Sequence, residues 1–263
     1  MKRLIIAIHG FNFRALINIT DFSVLATNAT TPPPSGDGRK PEGALRRWIL
    51  ALCFIACGWQ TLAALDPAAL QRQLIASFGP ARVTLLKDWL QTVNSAKSLG
   101  EQARLTQINN FINHNIAFEN DLGIWQQSDY WATPLETIGQ GRGDCEDFAI
   151  IKYVSLRMAG VSANKLRLIY VKAKLKGADG PIQQAHMVLA YYASPNAEPL
   201  VLDNLDPTIR PASQRSDLQP VFSFNSEGIF AGVSGKASAS KGGIGRLSRW
   251  ENVLRRIDAE GYE

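Results

Sequence analysis

The hydrophobic pattern of this 263-residue chain changes its period near Gly160. Before that point apolar residues recur three and four positions apart, which predicts helices over residues 67–79, 81–97, 101–118 and 148–158. After it, short runs rich in branched and aromatic residues predict strands at 166–171, 185–192, 200–203 and 221–224, with a closing helix at 247–258. Helices followed by sequential strands predict an α+β domain with an antiparallel sheet. We interpret residues 119–143 and 174–181 as loops.

A targeting segment precedes this domain. Residues 46–57 begin with two arginines and continue into an apolar run that is too short to span a membrane, and the small residues Ala63 and Ala64 follow. This pattern predicts a secretory signal peptide at about 46–64 that is cleaved near its end. We therefore divide the chain into a leader at 1–64 and one domain at 65–263. Residues upstream of 46 are either a wrongly assigned start or an unusually long leader.

The net charge belongs mostly to that leader. The chain carries a formal charge of +5, and residues 1–63 hold seven lysines and arginines against three acids. The remaining domain is therefore nearly neutral, without the basic footprint that polyanion binding requires. We expect no nucleic-acid partner and no stable membrane span in the mature chain.

Cys145 is the single cysteine left after the leader is removed, because Cys53 and Cys57 leave with the signal. A lone thiol in an exported protein cannot form an internal disulfide. One interpretation is a buried, inert cysteine. The other is a nucleophile, because Cys145 opens an apolar helix, where the peptide dipoles lower a thiol pKa and free N–H groups can hold an oxyanion. Gly143 is expected to let the backbone turn sharply there.

Three acids, Asp144, Glu146 and Asp147, crowd the same helical turn. Negative charge beside a thiolate raises its pKa, which opposes nucleophilic chemistry. Two explanations fit the pattern. The acids cap the helix N-terminus, or they hold a cation that offsets their charge.

His186 and Asp203 supply the other groups that a cysteine nucleophile needs. His186 lies on a predicted strand 41 positions after Cys145, and Asp203 ends the next strand 17 positions later. Adjacent antiparallel strands can place two such residues side by side, which predicts a nucleophile, a base and an orienting carboxylate. The alternatives are a core histidine and an aspartate that serves a turn.

Four sequence blocks surround these candidate residues. The blocks are Thr133-Pro134-Leu135-Glu136, Gly143-Asp144-Cys145-Glu146-Asp147-Phe148-Ala149, Ala185-His186-Met187-Val188-Leu189 and Val201-Leu202-Asp203-Asn204. Together they resemble a known family, the bacterial transglutaminase-like cysteine proteinases, and among them the LapG type of periplasmic adhesin protease. The resemblance covers about residues 67–230, and its most specific part is the Gly-Asp-Cys-Glu-Asp block.

This resemblance implies a papain-like transglutaminase core with catalytic Cys145, His186 and Asp203. It also implies a Ca²⁺ site on Asp144 and Glu146, with Asp147 as a helper, completed by backbone or water oxygens. The implied activity is periplasmic cleavage of the N-terminal region of a large surface adhesin, which promotes biofilm dispersal. The implied inhibitory partner is an inner-membrane receptor for cyclic di-GMP.

Two other functions fit the same residues. A transglutaminase-like acyl transferase uses the same triad, with an amine in place of water. A non-catalytic, calcium-stabilised binding module would keep the fold without the chemistry, although the presence of all three triad residues argues against it.

Overall fold

The computed structural model describes residues 65–178, 180–231 and 244–262. The predicted leader at 1–64 lies outside the described residues, so the signal peptide stays a prediction. Among the helices that are described, none is long and apolar enough to cross a membrane.

The described part of the chain begins with three helices, as the sequence predicts: α1 (Pro67–Phe78), α2 (Val83–Ala96) and α3 (Glu101–Asn115), with a 3-10 turn at Pro80–Arg82. The side chain of Asp66 caps α1 by accepting a hydrogen bond from the backbone N–H of Ala68 over 2.9 Å. The third helix is shorter than predicted because residues 117 and 118 turn into a strand, β1 (Ala117–Phe118).

The segment at 119–143 contains two short helices, so its interpretation as a loop is wrong. These are α4 (Asp121–Trp125) and α5 (Pro134–Gln140), followed by β2 (Arg142–Gly143). A capping box begins α5, in which Thr133 and Glu136 each bind the other's backbone N–H. Strands β1 and β2 pair in parallel, which brings the residues after β1 next to the residues after β2.

The central helix, α6 (Cys145–Met158), begins at the cysteine and is buried along most of its length. The chain then forms six strands, β3 (Leu166–Gly177), β4 (Gly180–Tyr191), β5 (Leu200–Leu202), β6 (Arg210–Pro211), β7 (Leu218–Asn225) and β8 (Gly228–Ala231). They make one antiparallel sheet in the order β6-β5-β4-β3-β7-β8. The predicted loop at 174–181 is wrong, because β3 and β4 continue their pairing to Gly177 and Gly180.

The main core lies between the helices and one face of this sheet, and a smaller apolar cluster lies around Ile169, Val188 and Val201. The last helix, α7 (Ile244–Glu260), buries Trp250, Val253 and Ile257 in the main core. These contacts fix the central helix against the sheet and so determine where its first residue, Cys145, is held.

Candidate active site

Cys145 is the first residue of α6, and the helix N-terminus is closed by a capping box. The Asp144 side chain accepts a hydrogen bond from the backbone N–H of Glu146 over 3.3 Å. In return, Oδ2 of Asp147 accepts one from the backbone N–H of Asp144 over 3.3 Å. Asp144 and Asp147 therefore cap the helix N-terminus, which was the first of the two explanations for these acids.

Gly143 is needed here for space and not for a sharp turn. It lies in β2 and pairs with Phe118, and its φ angle is not positive. A Cβ atom on Gly143 would lie 2.7 Å from Cβ and 2.8 Å from Oδ2 of Asp147. Any larger residue would push Asp147 away from the helix N-terminus.

The Cys145 thiol is surrounded by acids. Its Sγ donates a hydrogen bond to Oε2 of Glu146 over 2.7 Å. Burial raises the pKa of the Cys145 thiol, and the charges of Glu146 and Asp144 raise it further, whereas a hydrogen bond from the backbone N–H of Met187 lowers it. The lowering expected from the helix dipole is therefore outweighed as long as nothing neutralises these carboxylates.

His186 and Asp203 form a buried pair. Nε2 of His186 lies 2.8 Å from Oδ1 of Asp203, and the two residues are 4% and 1% exposed. Strand β4 pairs with β5 up to Leu202, so Asp203 immediately follows the last paired residue. Since Nε2 is bound to the carboxylate, Nδ1 is the nitrogen left to exchange a proton with substrate or thiol.

Asp203 is held as an anion. Burial alone would raise the pKa of Asp203, but hydrogen bonds from His186 and Arg215 outweigh that effect and hold the pKa at about 2. The residue after His186, Met187, offers its backbone N–H to Cys145. The structure therefore pairs His186 with Asp203 and places the backbone of the next residue on β4 against the predicted nucleophile at the start of α6.

Four carboxylates lie beside this site. The ligand atoms of Asp121, Asp144 and Asp147 are all within 4.8 Å of one another, and those of Asp144, Cys145 and Glu146 form a second such group. Oδ2 of Asp121 accepts a hydrogen bond from the backbone N–H of Tyr130 over 2.6 Å. Its buried Oδ1 has no hydrogen-bond partner among the described residues.

The electrostatics of this cluster fit a cation. Burial and mutual repulsion raise the pKa of Asp121 to about 7 and that of Asp144 to about 8, and the pKa of Asp147 is also raised. A hard divalent cation prefers carboxylate oxygens and would remove this repulsion. The unpartnered oxygen of Asp121 is a ready ligand. The cluster therefore has the carboxylate oxygens and the uncompensated negative charge that suit a hard divalent cation such as Ca²⁺.

An open cleft of about 710 Å³ runs past Cys145 and three of the four carboxylates, those of Asp121, Asp144 and Glu146. Cys145 and Glu146 line one part of it, and Tyr170, Gln184 and Ala185 of the sheet line another. An extended peptide entering this cleft would meet the thiol and β4 together.

Comparison with known proteins decides the family. The family model described as bacterial transglutaminase-like cysteine proteinase matches residues 89–217. The solved structure of Legionella pneumophila LapG is 35% identical, with a TM-score of 0.59, over 73% of this chain and 97% of LapG. The chain belongs to the bacterial transglutaminase-like cysteine proteinases.

Two further structures of the same relative extend this comparison. Calcium-bound Legionella pneumophila LapG is 35% identical, with a TM-score of 0.59, over 73% of this chain and 99% of that one. The EGTA-treated form is 34% identical, with a TM-score of 0.60, over 73% and 97%. A comparison with curated proteins gave no match. The expected family and fold class are thus confirmed, and this cysteine proteinase has the α+β transglutaminase-like fold.

Sequence reasoning missed three residues around the site of this cysteine proteinase. Asp121 reaches the acidic cluster through the two-residue pairing of β1 with β2, which leaves no periodic signal. Arg215 binds Asp203 from a loop. Lys152 is buried on α6, and the charge of Asp203 raises its pKa against the effect of burial. A lysine inside an apolar helical pattern was the one signal that the sequence did offer.

Proposed function

We propose that this chain is a calcium-dependent periplasmic cysteine endopeptidase that cleaves the N-terminal region of a large surface adhesin and releases it, promoting biofilm dispersal. The observation that carries the proposal is 35% identity across 97% of Legionella pneumophila LapG. The arrangement of Cys145, His186 and Asp203 supports the peptidase chemistry. The cleft that passes Cys145 supports a peptide substrate.

In the proposed reaction, Nδ1 of His186 takes the proton of Cys145, and the thiolate attacks the carbonyl carbon of the scissile peptide bond. The backbone N–H of Cys145, which the capping box does not use, stabilises the oxyanion. The imidazolium then gives its proton to the leaving amine, and water hydrolyses the thioester. Asp203 accepts the Nε2–H bond throughout, so it fixes the ring and stabilises the imidazolium.

Asp144, Glu146 and Asp147, together with Asp121, are the residues that would hold Ca²⁺. Bound there, the ion supplies positive charge that offsets the carboxylates beside the thiol. Glu146 would serve both as a Ca²⁺ ligand and as the acceptor of the Cys145 hydrogen bond, which its Oε2 accepts. Once its charge is shared with a cation, the thiolate no longer faces an uncompensated carboxylate.

The proposed inhibitory partner is an inner-membrane receptor that senses cyclic di-GMP and binds the protease in the periplasm. The family resemblance supports this partner, and the predicted signal peptide at 46–64 supports the compartment. An export assay with the signal region fused to a periplasm-dependent reporter tests the compartment separately from the chemistry.

The decisive experiment incubates the purified protein with the N-terminal region of a large adhesin from the same genome and follows intact mass. Two fragments whose masses sum to substrate plus water are expected in calcium, and none in EGTA or with Cys145→Ala. Amine incorporation in place of water would assign acyl transfer. Full cleavage by Cys145→Ala would refute the proposed nucleophile.

A further inference from the structure

The orienting aspartate of the site is itself held by a second buried group. Oδ2 of Asp203 accepts a hydrogen bond from Nη2 of Arg215 over 2.7 Å, while Oδ1 is the oxygen that faces His186. The side chains of Arg215 and Asp203 are 4% and 0% exposed. With its two oxygens engaged by different donors, the carboxylate cannot rotate without breaking one of the two bonds.

Arg215 is clasped in turn by Asp217. Nε and Nη2 of Arg215 donate to the two carboxylate oxygens of Asp217 over 3.0 and 2.8 Å, a two-point contact that fixes the plane of the guanidinium. Burial would lower the pKa of Arg215, but the hydrogen bonds and charges of Asp217 and Asp203 raise it, so the group stays charged.

The backbone around this clasp is also fixed. The N–H of Arg215 donates to the carbonyl of Ala212 over 3.0 Å, and the N–H of Leu218 donates to the carbonyl of Arg215 over 3.0 Å. The carbonyl of Asp217 accepts from the N–H of Lys174 on β3 over 2.8 Å. The loop that presents the guanidinium is therefore attached to the same sheet that carries His186.

We propose that Arg215, clasped by Asp217, is a positioning residue that holds Asp203 in the orientation that His186 needs during proteolysis. This inference rests on the proposed function. The guanidinium satisfies Oδ2, so that Oδ1 faces Nε2 of His186 and selects the tautomer with a bare Nδ1. Arg215 acts through Asp203 and not through contact with the thiol.

Other groups near Asp203 do not replace this contact. The side chain of Asn113 donates to the backbone carbonyl of Asp203 over 2.8 Å, and the N–H of Leu205 donates to Oδ1 over 3.1 Å. Lys152 and Asp203 influence each other through their charges. Within the part of the chain that the structure describes, Oδ2 therefore depends on Arg215 for its hydrogen bond.

The test compares Arg215→Met and Arg215→Lys with a matched loss of a buried arginine, Arg167→Met. Arg167 is 7% exposed and stacks near Tyr192 and Phe230. We expect Arg215→Met to lower kcat on the adhesin fragment by about tenfold to a hundredfold with little change in KM, a smaller loss than removing an orienting carboxylate itself. Arg215→Lys should recover part of it, and Arg167→Met should change kcat less than about threefold.

A second readout needs no substrate. In a Cys145→Ala background, ¹⁵N NMR should show His186 with Nε2 protonated in the parent and in Arg167→Met, and a mixture of tautomers in Arg215→Met. This spectrum tests the positioning role even where the adhesin proves to be the wrong substrate. Equal kcat and equal tautomers in Arg215→Met and Arg167→Met would overturn the inference.

If Arg215→Met does not fold, a milder variant tests the positioning role. Asp217→Asn keeps the buried guanidinium but weakens its clasp, and we expect about a threefold to tenfold fall in kcat with a partial loss of the Nε2 tautomer. A parent-like kcat together with a parent-like His186 spectrum in Asp217→Asn would overturn the inference as well.

Discussion

The sulfhydryl of Cys145 donates a hydrogen bond to Oε2 of Glu146 across 2.7 Å. This contact joins the proposed nucleophile to a proposed calcium ligand in the adjacent residue. The nucleophile and the acidic cluster are therefore one electrostatic unit, and the reactivity of the thiol depends on the charge of the carboxylates around it.

Removal of calcium should make Cys145 less reactive at neutral pH. Burial and the charges of Glu146 and Asp144 raise the pKa of the thiol, so less thiolate is present without a cation. We expect EGTA to slow alkylation by iodoacetamide by about tenfold or more at pH 7 and to move the alkylation profile to higher pH, since one pKa unit changes the thiolate fraction tenfold. The measurement is the alkylation rate against pH, with calcium and with EGTA.

The matched control for this prediction is Glu119→Gln. Glu119 lines the same cleft but pairs with Arg142 over 2.6 Å, so its loss should leave the calcium effect intact. Alkylation profiles that coincide in calcium and EGTA would show that the carboxylates do not govern the thiol.

The calcium-free protein should lose stability as pH rises from about 4 to about 8. The folded pKa values of Asp121 and Asp144 are raised to about 7 and about 8, so the folded state binds more protons than the unfolded state over that interval. Stability is then present at low pH and is lost as these groups ionise. Urea denaturation at several pH values in EGTA measures the slope, and saturating calcium should abolish or reverse it.

Asp121→Asn sharpens this test. Removing one repelling charge should stabilise the calcium-free protein at pH 8 and weaken calcium binding by about tenfold or more, because a charged ligand is lost. Asp88→Asn, which changes an exposed carboxylate on α2, should alter neither quantity. A calcium affinity that Asp121→Asn leaves unchanged would remove Asp121 from the site.

Sequence patterns predicted the elements that carry the proposed triad because each has a strong local signal. Cys145 opens an apolar helix, and His186 and Asp203 lie at or next to apolar strands, so periodicity alone places them. Three of the four acids in the cluster were predicted. Asp144, Glu146 and Asp147 are neighbours in sequence, whereas Asp121 arrives through a two-residue parallel pairing that is too short to have a period.

Loop residues show the same limit more sharply. Arg215 reaches Asp203 because a turn after a 3-10 helix directs it inward, and no spacing rule encodes that direction. The two helices within 119–143 were missed because each is at most seven residues long. For α5, the Thr133 and Glu136 capping box was a usable signal that the interpretation of this segment as a loop did not exploit.

Gly143→Ala should damage the site although it removes no functional group. The added Cβ would lie 2.7 Å from Cβ of Asp147, a distance that requires Asp147 or the helix to move. We expect a loss of about 1–3 kcal/mol in the free energy of unfolding, with weaker calcium binding. Gly100→Ala is the matched control, because a Cβ added there would meet no described atom within 4 Å. Equal effects of the two changes on calcium affinity would contradict this account.

Lys152→Met should stabilise the protein, most strongly at low pH. Lys152 is 1% exposed, with Nζ 5.8 Å from the centroid of the Phe148 ring. Burial lowers the pKa of Lys152 to about 7, and the charge of Asp203 only partly opposes that effect. The folded state therefore binds fewer protons than the unfolded state between about pH 7 and the ordinary lysine pKa of 10.5, so this lysine costs most at or below pH 7 and little near pH 10.

We expect Lys152→Met to raise the free energy of unfolding by on the order of 2 kcal/mol at pH 6.5 and by much less at pH 9.5, since methionine fills a similar volume without a charge. Urea denaturation in saturating calcium at both pH values measures the difference. Lys165→Met is the control, and it should lower the free energy of unfolding, because Lys165 is partly exposed and pairs with Glu101 over 2.8 Å. A Lys152→Met protein less stable than the parent at pH 6.5 would mean that the attraction of Asp203 outweighs burial, and that the lysine belongs with Arg215 among the groups that hold Asp203.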